Sequence, residues 1–495
     1  MRLCVGRRVP AMMLVWAAVG NPIRPAVGQE ISLFASPEAS VAGHALLAPR
    51  TTPDTLHCFS CNPPTRFFRG LGEVIIVQLI PWTINAEVRD KEWAHVNLET
   101  WEENLENPWQ WDNDHFVANQ FGHPYHGNLY FNSARTNGYK FWSAVPWAFG
   151  GSAMWEVFGE VFAPSANDIV NTGMGGITLG ESLYRLSSLV LDNRATGSGR
   201  VWREIGAALI DPVRGFNRLL DGELGRVGPN PPDWRPSHTQ GVLDLTYRRI
   251  AGENSFSGSN ATDQGVASFR LVYGDLAHDV RAAPFSHFEF RAELADKASQ
   301  GERGRLSLLT ARGTLGGIAL HDGPTARHTL GALMVYEYYN NPAFEYGGQS
   351  IYGGLISEFH KAGDKSIRTT TEVLAQAIVI GATLSEHYYA GEGRNYDYGV
   401  GLGTRLAATV VKPGRAAIRI GWGGRWLHTL NGAESNHYQG GGFGEARYFL
   451  TSKFGLGASY YNYHRKSVYT GFPDVTQTSP MLNFFLSTAL PSLTP

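Results

Sequence analysis

From residue 236 to the C-terminus the chain repeats short segments in which apolar and polar residues alternate, and no other feature limits the fold so tightly. In 285–294 one face carries Phe288, Phe290, Ala292 and Leu294, and the other His287, Glu289, Arg291 and Glu293. In 415–426 one face carries Ala416, Ile418, Ile420, Trp422 and Trp426, against Arg415, Ala417, Arg419, Gly421, Gly423 and Arg425. The stretch 397–406 sets Tyr398, Val400, Leu402 and Leu406 against Asp397, Gly399, Gly401, Gly403 and Arg405, and Leu482, Phe484, Leu486 and Leu490 repeat the pattern near the end. Successive side chains on a strand point to opposite faces, so each segment is one-sided. Strands of about 10 residues with an apolar face toward lipid and a polar face toward a lumen are the signature of a transmembrane barrel. An open sheet would leave edge amides without partners in hydrocarbon, so closure is required.

The fold expected is therefore α+β: an N-terminal helical domain followed by a C-terminal antiparallel transmembrane β-barrel of about 12 strands. Tyr336, Tyr338, Tyr339, Tyr460, Tyr461 and Tyr463 sit near segment ends, where interfacial aromatic girdles belong. The competing architectures are a soluble β-sandwich and a periplasmic barrel, and a secretory signal at the N-terminus and the Arg and Glu repeated on the inward faces speak against them. Many such barrels close on a terminal aromatic residue, whereas this chain ends Leu490-Pro491-Ser492-Leu493-Thr494-Pro495. Either the last strand stops near Leu490 or the assembly signal is unusual.

The N-terminus indicates the compartment. Arg2, Arg7 and Arg8 precede an apolar run over 9–19, and Ala26-Val27-Gly28 offers small residues for cleavage before Gln29, the composition of a secretory signal. Cys4 lies in that signal, which leaves Cys58 and Cys61 in His57-Cys58-Phe59-Ser60-Cys61. In an oxidising compartment a local disulfide is the simplest outcome. A redox helix is disfavoured by Pro63-Pro64, zinc needs two more ligands, and haem attachment needs His where Asn62 stands. The expected organisation is a signal peptide at 1–28, an extended leader with the C-x-x-C at 29–66, a helical domain at 67–235 and the barrel at 236–495. Charged residues make up 17% of the chain and the net charge is −2, which excludes a strongly basic nucleic-acid binder.

Between 67 and 235 no run of 18 uncharged apolar residues occurs. The run 67–84 contains Arg69, Glu73 and Pro81, and 141–155 is interrupted by Pro146, so no transmembrane helix is expected there. The helices are expected in the periplasm, at the barrel mouth or in the lumen.

The same region carries Asn119-Gln120-Phe121-Gly122-His123-Pro124-Tyr125-His126-Gly127, then Tyr130-Phe131-Asn132 and Ala134-Arg135. It continues with Gly151-Ser152-Ala153-Met154-Trp155-Glu156-Val157-Phe158-Gly159-Glu160, Pro164-Ser165-Ala166-Asn167-Asp168, Asn171-Thr172, Gly175-Gly176, Gly180-Glu181 and Tyr184-Arg185-Leu186-Ser187. Over about residues 82–220 this series resembles a bacterial family catalogued as a domain of unknown function, number 3943, and the stretches 336–349 and 396–403 fit it more loosely. The resemblance implies an envelope protein and brings no established activity.

Two readings of these residues stand side by side. Glu156 and Glu160 are four apart and share a helix face. With His123, His126 and Asp168 they could form a His/carboxylate site for a divalent metal, or a general acid–base pair. That would suit a metal-assisted or acid–base hydrolase acting on an envelope lipid or glycan, with His123, His126, Glu156, Glu160 and Asp168 as its catalytic candidates. The other reading is a buried polar scaffold. In it Ser165 and Asp168 form a capping box, Arg135 neutralises Glu156 or Glu160, Glu181 pairs with Arg185, and Gly176 and Gly180 admit a close helix contact. The segment 211–218 reads as a connector between helices and barrel. No G-x-S-x-G, Walker loop or H-E-x-x-H occurs.

The functional expectation is an outer-membrane barrel with a periplasmic or lumenal helical domain and a structural or transport role. Its inward arginines Arg291, Arg405, Arg415, Arg419 and Arg425 either favour anionic solutes or pair with Glu289, Glu293, Glu372 and Glu445. The partners implied are outer-membrane lipid and the barrel-assembly machinery, with a small-molecule or lipid ligand as a further option.

Overall fold

The structure is a computed structural model that describes residues 58–490, apart from short stretches at 252–255, 257–260, 280–282, 298–302, 362–363 and 392. The expected signal peptide, and the expected leader as far as residue 57, lie outside the described residues. Cys58 and Cys61 form the expected disulfide.

Twelve antiparallel strands close into a barrel in simple sequence order, the last pairing with the first. They are β1 (Thr239–Ile250), β2 (Thr262–Tyr273), β3 (Phe288–Lys297), β4 (Arg303–Asp322), β5 (Ala326–Asn341) and β6 (Phe344–Lys361). They continue with β7 (Asp364–Leu384), β8 (Tyr396–Lys412), β9 (Ala416–Asn431), β10 (Ser435–Phe449), β11 (Phe454–Tyr469) and β12 (Val475–Ala489). Closure runs from Val242 opposite Ala489 to Ile250 opposite Met481, so no strand edge is left unpaired. The final strand ends at Ala489, one residue before Leu490.

The alternation sorts as the sequence requires. Ile418, Ile420 and Trp422 of β9 and Leu402 and Leu406 of β8 are open on the outer face. Inward residues pair across the lumen: Arg270 with Glu445 at 2.7 Å, Arg312 with Glu372 at 2.7 Å and Arg425 with Glu337 at 3.0 Å. Of the inward arginines expected from sequence, Arg405 joins Glu372 at 2.9 Å, Arg419 approaches Glu289 at 3.7 Å, and Arg291 pairs with Glu293. Arg415 does not point inward. It lies in the turn before β9, with its guanidinium 4.6 Å from the Tyr448 ring centre.

The helices run α1 (Phe67–Thr83), α2 (Leu98–Glu106), α3 (His123–Arg135), α4 (Phe141–Phe158), α5 (Ala166–Val170), α6 (Gly176–Val190), α7 (Gly197–Ile210) and α8 (Pro212–Leu220). They do not fill the lumen. Phe131, Phe141, Ile177 and Leu179 share one core with Phe288, Phe290, Met334, Tyr336, Tyr338, Ile380, Tyr396 and Tyr398. On β5 the residues between these, Val335, Glu337 and Tyr339, line the lumenal cavity. Tyr336 and Tyr338 therefore face outward, and the helices form a layer on the barrel's outer wall over β2–β8. Five of the six tyrosines expected in girdles are thereby reassigned. Tyr336 and Tyr338 lie beneath the helices, Tyr339, Tyr461 and Tyr463 line the lumen, and Tyr460 alone of the six is open on the outside.

Prolines interrupt less than the sequence suggests. Pro146 lies inside a continuous α4 and Pro81 inside α1. A proline frees the carbonyl four residues before it. For Pro81 that carbonyl belongs to Val77, and it accepts from the His126 ring at 3.1 Å. α1 with the π-helical turn that follows gives 22 residues, Phe67–Val88, long and apolar enough to cross a membrane, contrary to expectation. The two charged residues inside α1 are paired: Arg69 binds Glu73 at 3.3 Å and Asp221 at 2.6 Å, and Glu73 also accepts from Asn137 and Asn217, while Glu87 near the far end is exposed.

Candidate functional site

α3 and α6 pack closely because glycines stand where they meet: a Cβ on Gly176 would fall 2.4 Å from the Gly127 carbonyl carbon, and one on Gly180 2.7 Å from the Phe131 ring. The small-residue spacing read from the sequence thus serves this contact. Beside it, the arginines of the family-like motif are committed elsewhere. Arg135 forms a two-point pair with Glu181 at 2.7 and 3.1 Å, and Arg185 binds the same carboxylate at 2.9 Å. Arg135 therefore does not neutralise Glu156 or Glu160. Ser165 occupies the N-cap of α5 but caps no amide with its side chain, so the expected capping box is not formed. Its backbone N–H donates instead to Glu156 Oε2 at 2.9 Å. Asp211 does cap α8, accepting from the Arg214 amide at 3.0 Å.

Three elements bring donors together. His123 opens α3, Glu156 lies in the last turn of α4 and Asp168 lies in α5. One ligand atom from each falls within 4.8 Å of the others, a grouping able to hold a metal ion. His123 Nε2 is 3.6 Å from Asp168 Oδ1, and its Nδ1 is 3.2 Å from the Thr172 hydroxyl. A hydroxyl on the second ring nitrogen fixes ring orientation, as supporting groups do around metal sites. Asn167 donates to Asp168 Oδ1 at 2.9 Å. Glu156 and Asp168 are buried and His123 is half-buried.

The electrostatics are lopsided. Burial, then Asp168, pushes Glu156 up to about 8. A hydrogen bond joins Glu156 and Glu160, and burial together with Glu156 raises Glu160 well above the usual carboxylate range. Asp168 is raised in the same way by burial, with Asp112 and Asp114 adding to it. The charges acting on these acids are one another, Asp112, Asp114 and, at Glu156, His123, a balance that favours either bound protons or a cation.

Glu160 thus reaches the site through Glu156 and is not one of the three clustered donors. His126 stands apart. Its Nε2 meets the Val77 carbonyl, its ring packs 5.3 Å from Trp155 and 4.8 Å from Tyr130, and burial lowers it to about 4. It fastens α1 to α3 as a neutral ring.

Sequence reasoning missed the barrel's share in the site. Tyr398, outward on β8, receives hydrogen bonds from Gln120, Asn167 and Asn171 at 3.1–3.3 Å. Asn119 donates to Tyr396 at 2.7 Å and to Asp112 at 2.8 Å. These amides stand within the family-like motifs; the stretch 396–403 fits that family only loosely, and local spacing does not encode contacts between residues more than 200 apart.

Residues 108–213 match the family model described as a domain of unknown function (DUF3943), within the stretch whose motifs resemble it. No curated protein matches the chain. Among solved structures it is similar to a NanC porin at 8% identity, covering 49% of this chain and 98% of that one with a TM-score of 0.28. It is similar to an outer membrane channel from Pseudomonas putida F1 at 12% identity, covering 52% and 99%, with a TM-score of 0.29. An anion-selective porin from Comamonas acidovorans gives 8% identity, 51% and 98% coverage, and a TM-score of 0.24.

Proposed function

We propose that the chain is an outer-membrane barrel whose helical layer carries a divalent-cation centre at His123, Glu156 and Asp168. The barrel part rests on how side chains divide between its faces. Leu402, Ile418, Ile420 and Trp422 are open on the outside, while Arg270, Arg312 and Arg425 are paired inside. That division suits hydrocarbon outside and a polar lumen within. When the full chain is produced in a diderm bacterium, it should fractionate with the outer membrane and run as a heat-modifiable band. Recovery in the soluble periplasm would overturn this part.

The single observation that carries the centre is the meeting of His123, Glu156 and Asp168 from three helices, with Arg135 and Arg185 both held by Glu181. One imidazole and two carboxylates suit a borderline transition ion better than calcium, which takes oxygen ligands. A metal-assisted hydrolase acting on an envelope lipid or glycan is the chemistry such a donor set could support, with Glu160 beside it as an acid. On that reading Glu156→Gln and His123→Ala alter the cell's lipid or glycan profile, and unchanged profiles would remove it.

The lumen suits a narrow solute path. A cavity of about 400 Å³ is lined by Arg270, Arg312, Arg405, Glu337 and Glu372 among others. Ion pairs such as Arg312–Glu372 cross it, so wild-type conductance in planar bilayers should be low. The double change Arg312→Ala with Glu372→Ala removes one positive and one negative charge, leaves the net charge of the lumen unchanged and should raise conductance severalfold. An unchanged value would mean that passage is blocked elsewhere.

A further inference from the structure

The helical layer covers wall that a membrane barrel would otherwise show to lipid. On β4, Leu309 and Ala311 are buried under helices in the middle of the strand, whereas Ile318 and Leu320 farther along are open. On β8 the same division falls between the covered Tyr398 and the open Val400 and Leu402. The layer therefore occupies part of the height of the barrel's apolar band.

Its own outer surface continues that band. α1 buries Gly70, Glu73, Val74 and Gln78 and leaves Ile75, Ile76, Leu79 and Ile80 open, and Ile84 in the π-helical turn that follows is open too. α7 adds Trp202, Ile205 and Leu209, and α8 adds Phe216 and Leu220. The polar residues of α7 and α8 turn the other way: Arg200, Glu204 and Arg218 form a buried ion-pair network. Ordinarily amphipathic surface helices face the core with their apolar side, and here the open side is apolar. The 22 residues 67–88 cover roughly 33 Å at 1.5 Å per residue, close to the ~30 Å hydrocarbon thickness. Charge gathers at both ends of that length, Arg66 and Arg69 at one and Glu87 to Glu92 at the other. The acidic, open face of α2 follows directly, with Glu99, Glu102, Glu103 and Glu106.

We infer that the helical layer lies in the bilayer beside the barrel, α1 spanning it and the open faces of α1, α7 and α8 meeting lipid acyl chains. The inference rests on the barrel's own place in a membrane. Its consequence is that the His123 centre sits within a lipid-facing layer, where an acyl-bearing molecule would approach from the side and not through the lumen.

The test uses the full-length protein in phospholipid vesicles, in a Cys4→Ser background with Cys58 and Cys61 left paired. A nitroxide is placed singly on Leu79→Cys, Leu209→Cys, Leu402→Cys or Glu102→Cys, and its collisions with oxygen and with a water-soluble nickel chelate are compared. Leu79→Cys and Leu209→Cys should match Leu402→Cys on β8, with nickel collisions severalfold below those of Glu102→Cys. If Leu402→Cys is lipid-exposed while Leu79→Cys and Leu209→Cys collide freely with nickel, the layer lies in water and the inference is overturned while the barrel reading stands. If Leu402→Cys itself reads as aqueous, both fall.

Discussion

The protein purified in detergent should carry one transition-metal ion per chain, and Glu156→Gln should lose it. Glutamine keeps the side chain's shape and can still accept from the Ser165 amide, which lies 2.9 Å from the native carboxylate. It removes the negative charge that a cation requires. Losing an outer-shell partner around a metal costs roughly 10–100-fold in affinity, so losing one of three direct donors should exceed about 100-fold. His123→Ala should do the same. Thr172→Val, which removes only the hydroxyl 3.2 Å from His123 Nδ1, should weaken binding within the outer-shell range of about 10–100-fold. His126→Ala should leave metal content unchanged, because that ring faces the Val77 carbonyl and not the donor group. Elemental analysis of the four variants beside wild type decides the matter. Equal metal in wild type and Glu156→Gln, or none in either, would leave the cluster as a proton-sharing scaffold.

The barrel was legible because its physics is periodic. A strand's faces alternate whatever lies outside them, so 285–294, 397–406 and 415–426 could be read as one-sided strands from residue types alone. What covers the outer face was not legible for the same reason. Met334, Tyr336 and Tyr338 are apolar or aromatic at outward positions, and such a residue looks alike whether a lipid or a helix lies against it. The helix expectations weighed polar groups without the partners they find in the fold. Arg69 and Glu73 in α1 argue against a membrane span only if they are unpaired, and here they bind each other, Asp221, Asn137 and Asn217. Pro81 argues for a break only if its freed carbonyl stays unsatisfied, and His126 satisfies it. Of the five candidate site residues, spacing alone tied Glu156 to Glu160. The meeting of His123, Glu156 and Asp168 depends on how α3, α4 and α5 pack, which local spacing does not encode.

Gly127→Val should release the helical layer from the barrel without unfolding the barrel. A Cβ at Gly127 would stand 1.9 Å from the Thr172 carbonyl oxygen and 2.7 Å from its carbon. Both are backbone atoms of the π-helical turn Asn171–Gly175, so no side-chain rotation relieves the clash. That turn also carries the hydroxyl beside His123 and the Asn171 amide that reaches Tyr398. Moving it therefore disturbs the donor cluster and the barrel contact together. Overpacking of a close-fitted contact costs roughly 1–3 kcal/mol, and a backbone clash with no flexible neighbour belongs at the upper end. The barrel's ladder, closed from β1 to β12, contains none of these atoms. Limited proteolysis should cut the variant within 58–235 while a heat-modifiable barrel fragment survives, and bound metal should fall with the layer. Gly72→Ala is the matched control, since a Cβ there meets nothing within 4 Å. It should be neutral or slightly stabilising through helix propensity. A Gly127→Val protein as protease-resistant as Gly72→Ala would show that α3 and the turn at 171–175 are not packed as tightly as these distances require.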